Sequence, residues 1–299
     1  MTRTLAAPAT SAPVTAPVTV PVNAPVNAPT KAPTTTSIQL DRKPQVQYVL
    51  RIADTCLVHA QRLSEWCGHG PALEEDIALT NMALDLVGQA RALLSHAGHL
   101  EGQGHDEDQL AYLRDERDYF NLTLAEQPMR RSSGHVQGGD FADTVLRNFL
   151  LATWFKGLWT ALQSSSDAML AAIAGKAIKE SRYHLQHSGD WVVRLGDGSL
   201  ESARRMVAAL DRAWPFTAEF FASDAVDEAA ARDGLGPTRS SLQSAWLAQV
   251  QAVLAEAGLE PPATTPFLST GTQGRHSEHL GYLLAEMQSL PRQHPQGRW

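Results

Sequence analysis

The stretch Asp76–Arg91, with the sequence Asp-Ile-Ala-Leu-Thr-Asn-Met-Ala-Leu-Asp-Leu-Val-Gly-Gln-Ala-Arg, indicates the fold most clearly. Successive residues of an α-helix are rotated by about 100°, which sorts the apolar side chains of this region into two stripes on nearly opposite sides. One stripe consists of Leu73, Ile77 and Leu84, and the other of Leu79, Met82, Leu86 and Leu93. A helix that is apolar on two sides is expected to be sandwiched within a bundle.

Two predicted helical faces also carry polar residues. Asn81, Asp85 and Gly88 cluster on the stripe beside Leu84. On a later predicted helix, a second polar face consists of Glu180, His184 and His187. A buried carboxylate costs free energy unless it is paired, and helical bundles build metal sites from internal polar faces of this kind. These two faces are therefore the candidate functional region.

Helical periodicity continues along the chain after Lys43. The predicted helices span about residues 45–67, 72–99, 107–126, 141–164, 167–194, 199–222, 239–257 and 274–290. Val, Ile and Thr nowhere alternate with polar residues for long enough to predict a sheet. We therefore expect an all-α fold, with one helical domain over residues 44–299.

The first 43 residues have a different character. Prolines recur at four-residue intervals from Pro13 to Pro33 in a tract of Ala, Thr and Val. Each proline removes a backbone donor, and the tract has too little bulky apolar surface to form a core. Residues 1–43 are therefore predicted to be a disordered arm.

The composition is that of a globular protein. Of the 299 residues, 43% are hydrophobic, and the net charge is −7. The sequence has no Lys/Arg-rich stripe and no apolar run of the roughly 20 residues that a bilayer requires, so we expect neither nucleic-acid nor membrane binding. The two cysteines, Cys56 and Cys67, suggest no disulfide framework, which favours a reducing, cytoplasmic environment.

The residues alone do not identify an active site. Di-iron bundles use a Glu-x-x-His pair on each of two helices, because residues i and i+3 project towards one point. No glutamate in this chain is followed three residues later by a histidine. The local alternatives, Glu180 with His184 and His276 with His279, are each more typical of solvated or capping groups. The common hydrolase, phosphate-loop and zinc-protease motifs are also absent.

Five longer strings are similar to one known family. They are Asp54–His69, Asp76–Arg91, Arg114–Arg117, Lys176–His184 and His276–Gln288. Together they closely resemble the C subunits of bacterial ring-1,2-phenylacetyl-CoA epoxidases, over about residues 45–299. The proline-rich arm and the loop Met129–Gly139 do not share in this resemblance.

The resemblance implies a ferritin-like helical bundle with extra C-terminal helices. It implies a non-catalytic structural subunit of the multicomponent oxygenase of aerobic phenylacetate breakdown, which adds one oxygen atom of O₂ to the ring of phenylacetyl-CoA and uses NADPH. The tightly bound partner, the catalytic A subunit, would carry the di-iron centre, and a reductase would carry flavin and iron-sulfur groups. This chain would hold no cofactor and would stabilise the catalytic partner.

The resemblance also indicates where metal ligands have been lost. Asp85-x-x-Gly88 stands where one Glu-x-x-His pair would be, and Ser181-x-x-His184 stands where the other would be. Each pair lacks one donor, which leaves too few ligands for two irons. Asp85 and His184 are expected to pair with each other, or else with Arg182 or Arg91.

Contacts to a CoA thioester are implied in two segments. They are Asp118, Tyr119, Phe120 and Asn121 in the first, and Glu228, Ala229 and Ala230 in the second. Core packing is the competing interpretation for Tyr119 and Phe120.

Two other interpretations of the function stay open. A ferritin-like subunit with its own divergent iron site would draw its ligands from His184, Glu180, His276, Glu278 and His279. A stand-alone binding bundle would have no oxygenase partner.

Aromatic residues predict a partner surface. Those on predicted helices 141–164 and 199–222 are Phe149, Trp154, Phe155, Trp159, Trp214, Phe216, Phe220 and Phe221. Trp154 and Trp159 lie about 140° apart around a helix, so one core-facing stripe cannot hold both. We expect part of this aromatic area to be exposed on the lone chain and covered by the catalytic partner.

Overall fold

The structure is a computed structural model that describes residues 37–128 and 140–294. Its α-helices are α1 Pro44–Ser64, α2 Leu73–Glu101, α3 Glu107–Tyr112, α4 Thr123–Glu126, α5 Phe141–Leu162, α6 Ala168–Gly196, α7 Leu200–Ala213, α8 Ala225–Arg232, α9 Gln243–Glu256 and α10 Glu278–Gln293. The described residues contain no β-strand, only an isolated bridge between Thr270 and Arg275. The predicted all-α fold is confirmed.

Four long helices form the centre of the molecule. Helix α1 packs along α2, and α5 packs along α6, each pair being antiparallel because a short connection joins its members. Helix α2 also packs against α6, which joins the pairs into one bundle. These four helices form the predicted helical bundle, and α7 to α10 are the extra C-terminal helices. The polar faces of α2 and α6 are thereby brought opposite each other.

Local signals in the sequence explain where several helices begin. The side chain of Asp140 accepts hydrogen bonds from the backbone of Ala142 and Asp143 at the start of α5. Asp167 accepts hydrogen bonds from Met169 and Leu170 at the start of α6. An acceptor at this position satisfies backbone donors that have no partner within the helix.

The predicted helix 107–126 is wrong as a continuous element. Helix α3 ends at Tyr112, and the chain crosses a short 3₁₀ turn and an extended stretch before α4. The cause is the buried carboxylate of Asp54 on α1, which accepts hydrogen bonds from the Arg114 guanidinium and from the backbone N–H of Phe120. These hydrogen bonds to the buried carboxylate stabilise the extended path more than continued helical hydrogen bonding would.

The predicted helix 199–222 is also shorter than expected. Helix α7 ends at Ala213, and a 3₁₀ helix, Trp214–Phe221, follows it. Pro215 lies in the first turn of that 3₁₀ helix and has no N–H with which to continue the α-helical pattern. Helix α8 was not predicted.

The N-terminal boundary also differs from the prediction. Residues 1–36 of the predicted arm, like the loop 129–139, lie outside the described residues. Residues 37–43, however, lie against the helices. Ile38 is buried, and its backbone N–H donates to the carbonyl of Leu113 at 3.0 Å. An apolar side chain with a place in the core explains this contact.

The predicted exposure of the aromatic residues is wrong. Phe149, Trp154, Phe155 and Trp159 are buried within the core, as are all the aromatics of the 3₁₀ helix Trp214–Phe221 except the half-buried Phe216. Helix α5 packs against α6, α7 and α9, so side chains on several of its sides find apolar neighbours.

No helix among the described residues is long and apolar enough to span a membrane.

Candidate functional site

The predicted ligand positions meet between α2 and α6. His184 is buried, and its Nε2 lies 3.1 Å from Oδ2 of Asp85, whose side chain is 37% exposed. The predicted pairing of these two residues is therefore present. Asp85 is nevertheless not the fully buried carboxylate that the helix pattern indicated, because it lies at the outer edge of the gap between the helices.

The other two ligand positions carry no donor of the expected kind. Ser181, at the position where the resemblance implies a carboxylate ligand, is buried and offers only a hydroxyl. Gly88 is half-buried, and a Cβ added there would meet no atom within 4 Å. The space at position 88 is therefore open.

A neutral amide lies about one helical turn from the Asp85–His184 pair. Gln89 Nε2 donates to Glu180 Oε2 at 2.9 Å, and Gln89 Oε1 accepts a hydrogen bond from the Cys56 thiol at 3.6 Å. Burial, followed by the charges of Glu180 and Asp54, raises the pKa of that thiol well above its ordinary value. A protonated thiol and an amide thus occupy positions on α1 and α2 beside Glu180.

On the inner side, α1 and α5 contribute a second neutral pair. Nε2 of the buried His59 lies 3.1 Å from Oδ1 of Asn148, whose Nδ2 donates to Met82 Sδ. Nδ1 of His59 has no hydrogen-bonding partner among the described residues. Burial lowers the pKa of His59 to about 3, although the Asn148 hydrogen bond opposes this shift. His59 is therefore neutral at physiological pH.

These residues do not fit a di-iron centre. Within residues 37–128 and 140–294, no group of three or more His, Cys, Asp or Glu side chains has the geometry to hold a metal ion. The residues proposed for a divergent iron site are also separated. His184 pairs with Asp85 between α2 and α6, whereas His276 pairs with Glu126 of α4. The bundle interior is instead joined by hydrogen bonds between helices.

The predicted substrate segments have different surroundings. Tyr119, Phe120 and Asn121 are buried, whereas Asp118 is partly exposed and pairs with Arg42. In the second segment Glu228 is exposed on α8, and the two alanines that follow it are buried. Of the two segments, only Asp118 and Glu228 thus reach the surface, whereas the aromatic side chains lie in the interior.

A basic cleft lies next to the first segment. It has a volume of about 660 Å³, and its lining residues are Arg42, Glu116, Arg117, Gln273, Gly274, Arg275 and His276. Arg117 and Arg275 are exposed, and their side chains have no hydrogen-bonding or ionic partner in the part of the chain that the structure describes. Sequence reasoning missed this cleft because its arginines are far apart in the chain and form no motif.

The sequence matches a known protein family over most of its length. The sequence profile of the family described as "Phenylacetic acid catabolic protein" matches residues 23–299. The chain is also 48% identical over 252 residues to the C subunit of the 1,2-phenylacetyl-CoA epoxidase of Escherichia coli (strain K12). That match covers 84% of this chain and 98% of the Escherichia coli protein.

Among solved structures, the chain is similar to protein 19 with aldehyde deformylating oxidase activity from Synechococcus. The TM-score is 0.46 at 15% sequence identity, over 74% of this chain and 93% of that one.

Proposed function

The chain belongs to the phenylacetic acid catabolic protein family, and we propose that it is the non-catalytic, structural subunit of a phenylacetyl-CoA 1,2-epoxidase. In this role it stabilises a ferritin-like partner that carries the di-iron centre. The observation that carries the proposal is the pairing of His184 with Asp85, together with Gly88 and Ser181 at the remaining ligand positions. His184 provides the one imidazole that remains of the ligand pattern, and this imidazole pairs with the Asp85 carboxylate of the same chain.

The outer face of α2 supports the partner role. Leu73, Ile77 and Leu84 are 72%, 53% and 63% exposed, and they lie on one stripe of the helix. The opposite stripe, which includes Leu79 and Met82, is buried against the bundle. An exposed line of large apolar side chains on an ordered helix is typical of a protein interface. The catalytic partner is its proposed occupant.

The basic cleft supports contact with a CoA thioester. The phosphates of CoA are anionic, and guanidinium groups bind phosphate through charge-assisted hydrogen bonds. Arg117 and Arg275 are free to make such bonds in the described structure, and the cleft adjoins the predicted contact at Asp118. In the assembled enzyme this chain would hold the phosphate end of the substrate while the partner performs the oxygenation.

Metal analysis tests the structural role. The chain and its catalytic partner are each loaded anaerobically with ferrous iron, desalted and analysed, with the partner as the positive control. We expect the partner to bind close to two irons and this chain to bind none in stoichiometric amount. About two irons per chain here would contradict the proposal, and failure to co-purify with a second ferritin-like protein would contradict the partner role.

A further inference from the structure

His276 forms two hydrogen bonds in the interior of the protein. Its Nδ1 lies 2.8 Å from Glu126 Oε2, and its Nε2 lies 2.9 Å from the carbonyl oxygen of Tyr119. The side chains of His276 and Glu126 are both completely shielded from solvent. The histidine thus links the segment before α10 to α4 and to the segment that precedes α4.

The partners of His276 determine where its protons lie. A carbonyl oxygen only accepts, so Nε2 must carry a proton. Glu126 also accepts hydrogen bonds from the backbone N–H of Ser277 at 2.6 Å and from Asn121 Nδ2 at 2.9 Å, so both of its oxygens already act as acceptors. A donor is therefore needed at Nδ1 as well, and an imidazole that donates from both nitrogens is a cation.

The charges around this pair are consistent with that state. Burial lowers the pKa of His276, but the hydrogen bond and charge of Glu126, the Tyr119 carbonyl and the charge of Asp54 outweigh burial and raise it above the ordinary value. Asp54 on α1 is itself paired with Arg114. Arg62, also on α1, donates to the backbone carbonyl of Glu126. On the cleft side, the facing charged groups are Arg42, Glu116, Arg117 and Arg275.

We infer that His276 is an imidazolium that positions Tyr119–Asn121 and the start of α10 against Glu126, and that it thereby shapes the basic cleft. His276 is among the residues at the cleft wall, although its side chain points into the interior. Gly274, two residues earlier, lies so close to the carbonyl of Arg117 that an added Cβ would meet that oxygen. Movement of the segment before α10 would therefore move the wall of the cleft. Only the consequence for substrate binding rests on the proposed function.

Hydrogen exchange on the isolated chain tests the inference. In the His276→Phe variant, peptides covering residues 119–126 and 277–284 are expected to exchange at least tenfold faster at pH 7 than in the unchanged chain, while the centre of α5 stays protected. The matched control is His279→Phe, since the His279 side chain has no partner among the described residues. In this control variant, both peptides should exchange at the same rate as in the unchanged chain.

Two further measurements complete the test. The ¹⁵N chemical shifts of His276 in the unchanged chain should be those of an imidazolium at pH 7, a readout that does not depend on any variant. If His276→Phe does not fold, His276→Gln, which keeps one donor, is used instead and should still exchange faster in both peptides than the unchanged chain. A neutral imidazole at pH 7, or unchanged exchange in both His276 variants, would overturn the inference.

The reconstituted enzyme separates this inference from the proposed function. Faster exchange together with a raised KM for phenylacetyl-CoA and an unchanged kcat supports both. Faster exchange with an unchanged KM leaves the positioning role intact and contradicts the proposed contact of the cleft with substrate.

Discussion

Placing aspartate at both Ile77 and Leu84 should weaken binding of the catalytic partner at least about 100-fold without unfolding the chain. Complete burial of a Leu or Ile side chain contributes about 1.5–3 kcal/mol. Because these two side chains are 53% and 63% exposed, a partner that covers them gains about 1 kcal/mol from each. Loss of that gain, together with desolvation of two unpaired carboxylates, should cost at least about 3 kcal/mol, or roughly a 100-fold increase in Kd.

The folded chain should tolerate the same change. Substitution of exposed helical residues away from special features changes the free energy of unfolding by about 0.5 kcal/mol or less each. Leu200→Asp with Val207→Asp is the matched control. It has the same spacing of seven residues and the same added charge, on exposed positions of α7.

Complex formation is measured by size-exclusion chromatography with light scattering and by titration calorimetry, and folding is measured by circular dichroism. We expect the α2 variant to be a folded chain that elutes apart from the partner, and the α7 variant to bind normally. Normal binding by the α2 variant would refute the assignment of this face. Loss of binding in the α7 variant alone would indicate that the interface lies on α7 and not on α2.

Two further predictions concern pH and the cleft. His59 has a pKa of about 3 in the folded chain against about 6.5 when unfolded, so its contribution to stability is present above pH 6.5 and is lost as the pH falls. Lowering the pH from 6.5 to 5 should cost about 2 kcal/mol through this residue, and urea unfolding of His59→Gln should lack that component; equal pH dependence in both proteins would contradict it. Arg117→Glu should raise the KM for phenylacetyl-CoA at least tenfold with little change in kcat, because it reverses a charge in the cleft. Arg232→Glu, an exposed change on α8, is the control, and an equal KM in both variants would exclude Arg117 as a phosphate contact.

Helical periodicity predicted the helices of the fold better than it predicted which of their side chains are exposed. The angles of Leu79 and Leu84 around α2 were right, yet one side chain is buried and the other exposed. Periodicity states how side chains are arranged around an axis, and it does not state which sides other helices cover. The same limit explains the aromatics of α5, where Trp154 and Trp159 point in different directions and are both buried.

The sequence did not predict features that depend on contacts between residues far apart in the chain. The break after Tyr112 depends on Asp54, and the basic cleft combines Arg42 with Arg117 and Arg275. By contrast, the pairing of Asp85 with His184 was predictable, because each lies on a polar face and the bundle brings these faces together. Residue types and spacing thus identified the helical faces, whereas tertiary contacts determined the cleft.

The open space at Gly88 affects how a helix of the partner would pack against α2. Gly88 lies one turn beyond Leu84 on the same stripe, so the row of projecting apolar side chains ends in a hole. Glycine within a helix costs about 0.5–1 kcal/mol relative to alanine, and no close neighbour of this chain requires it here. A side chain projecting from another helix fits such a hole as a knob, which would fix the register in which the two helices meet.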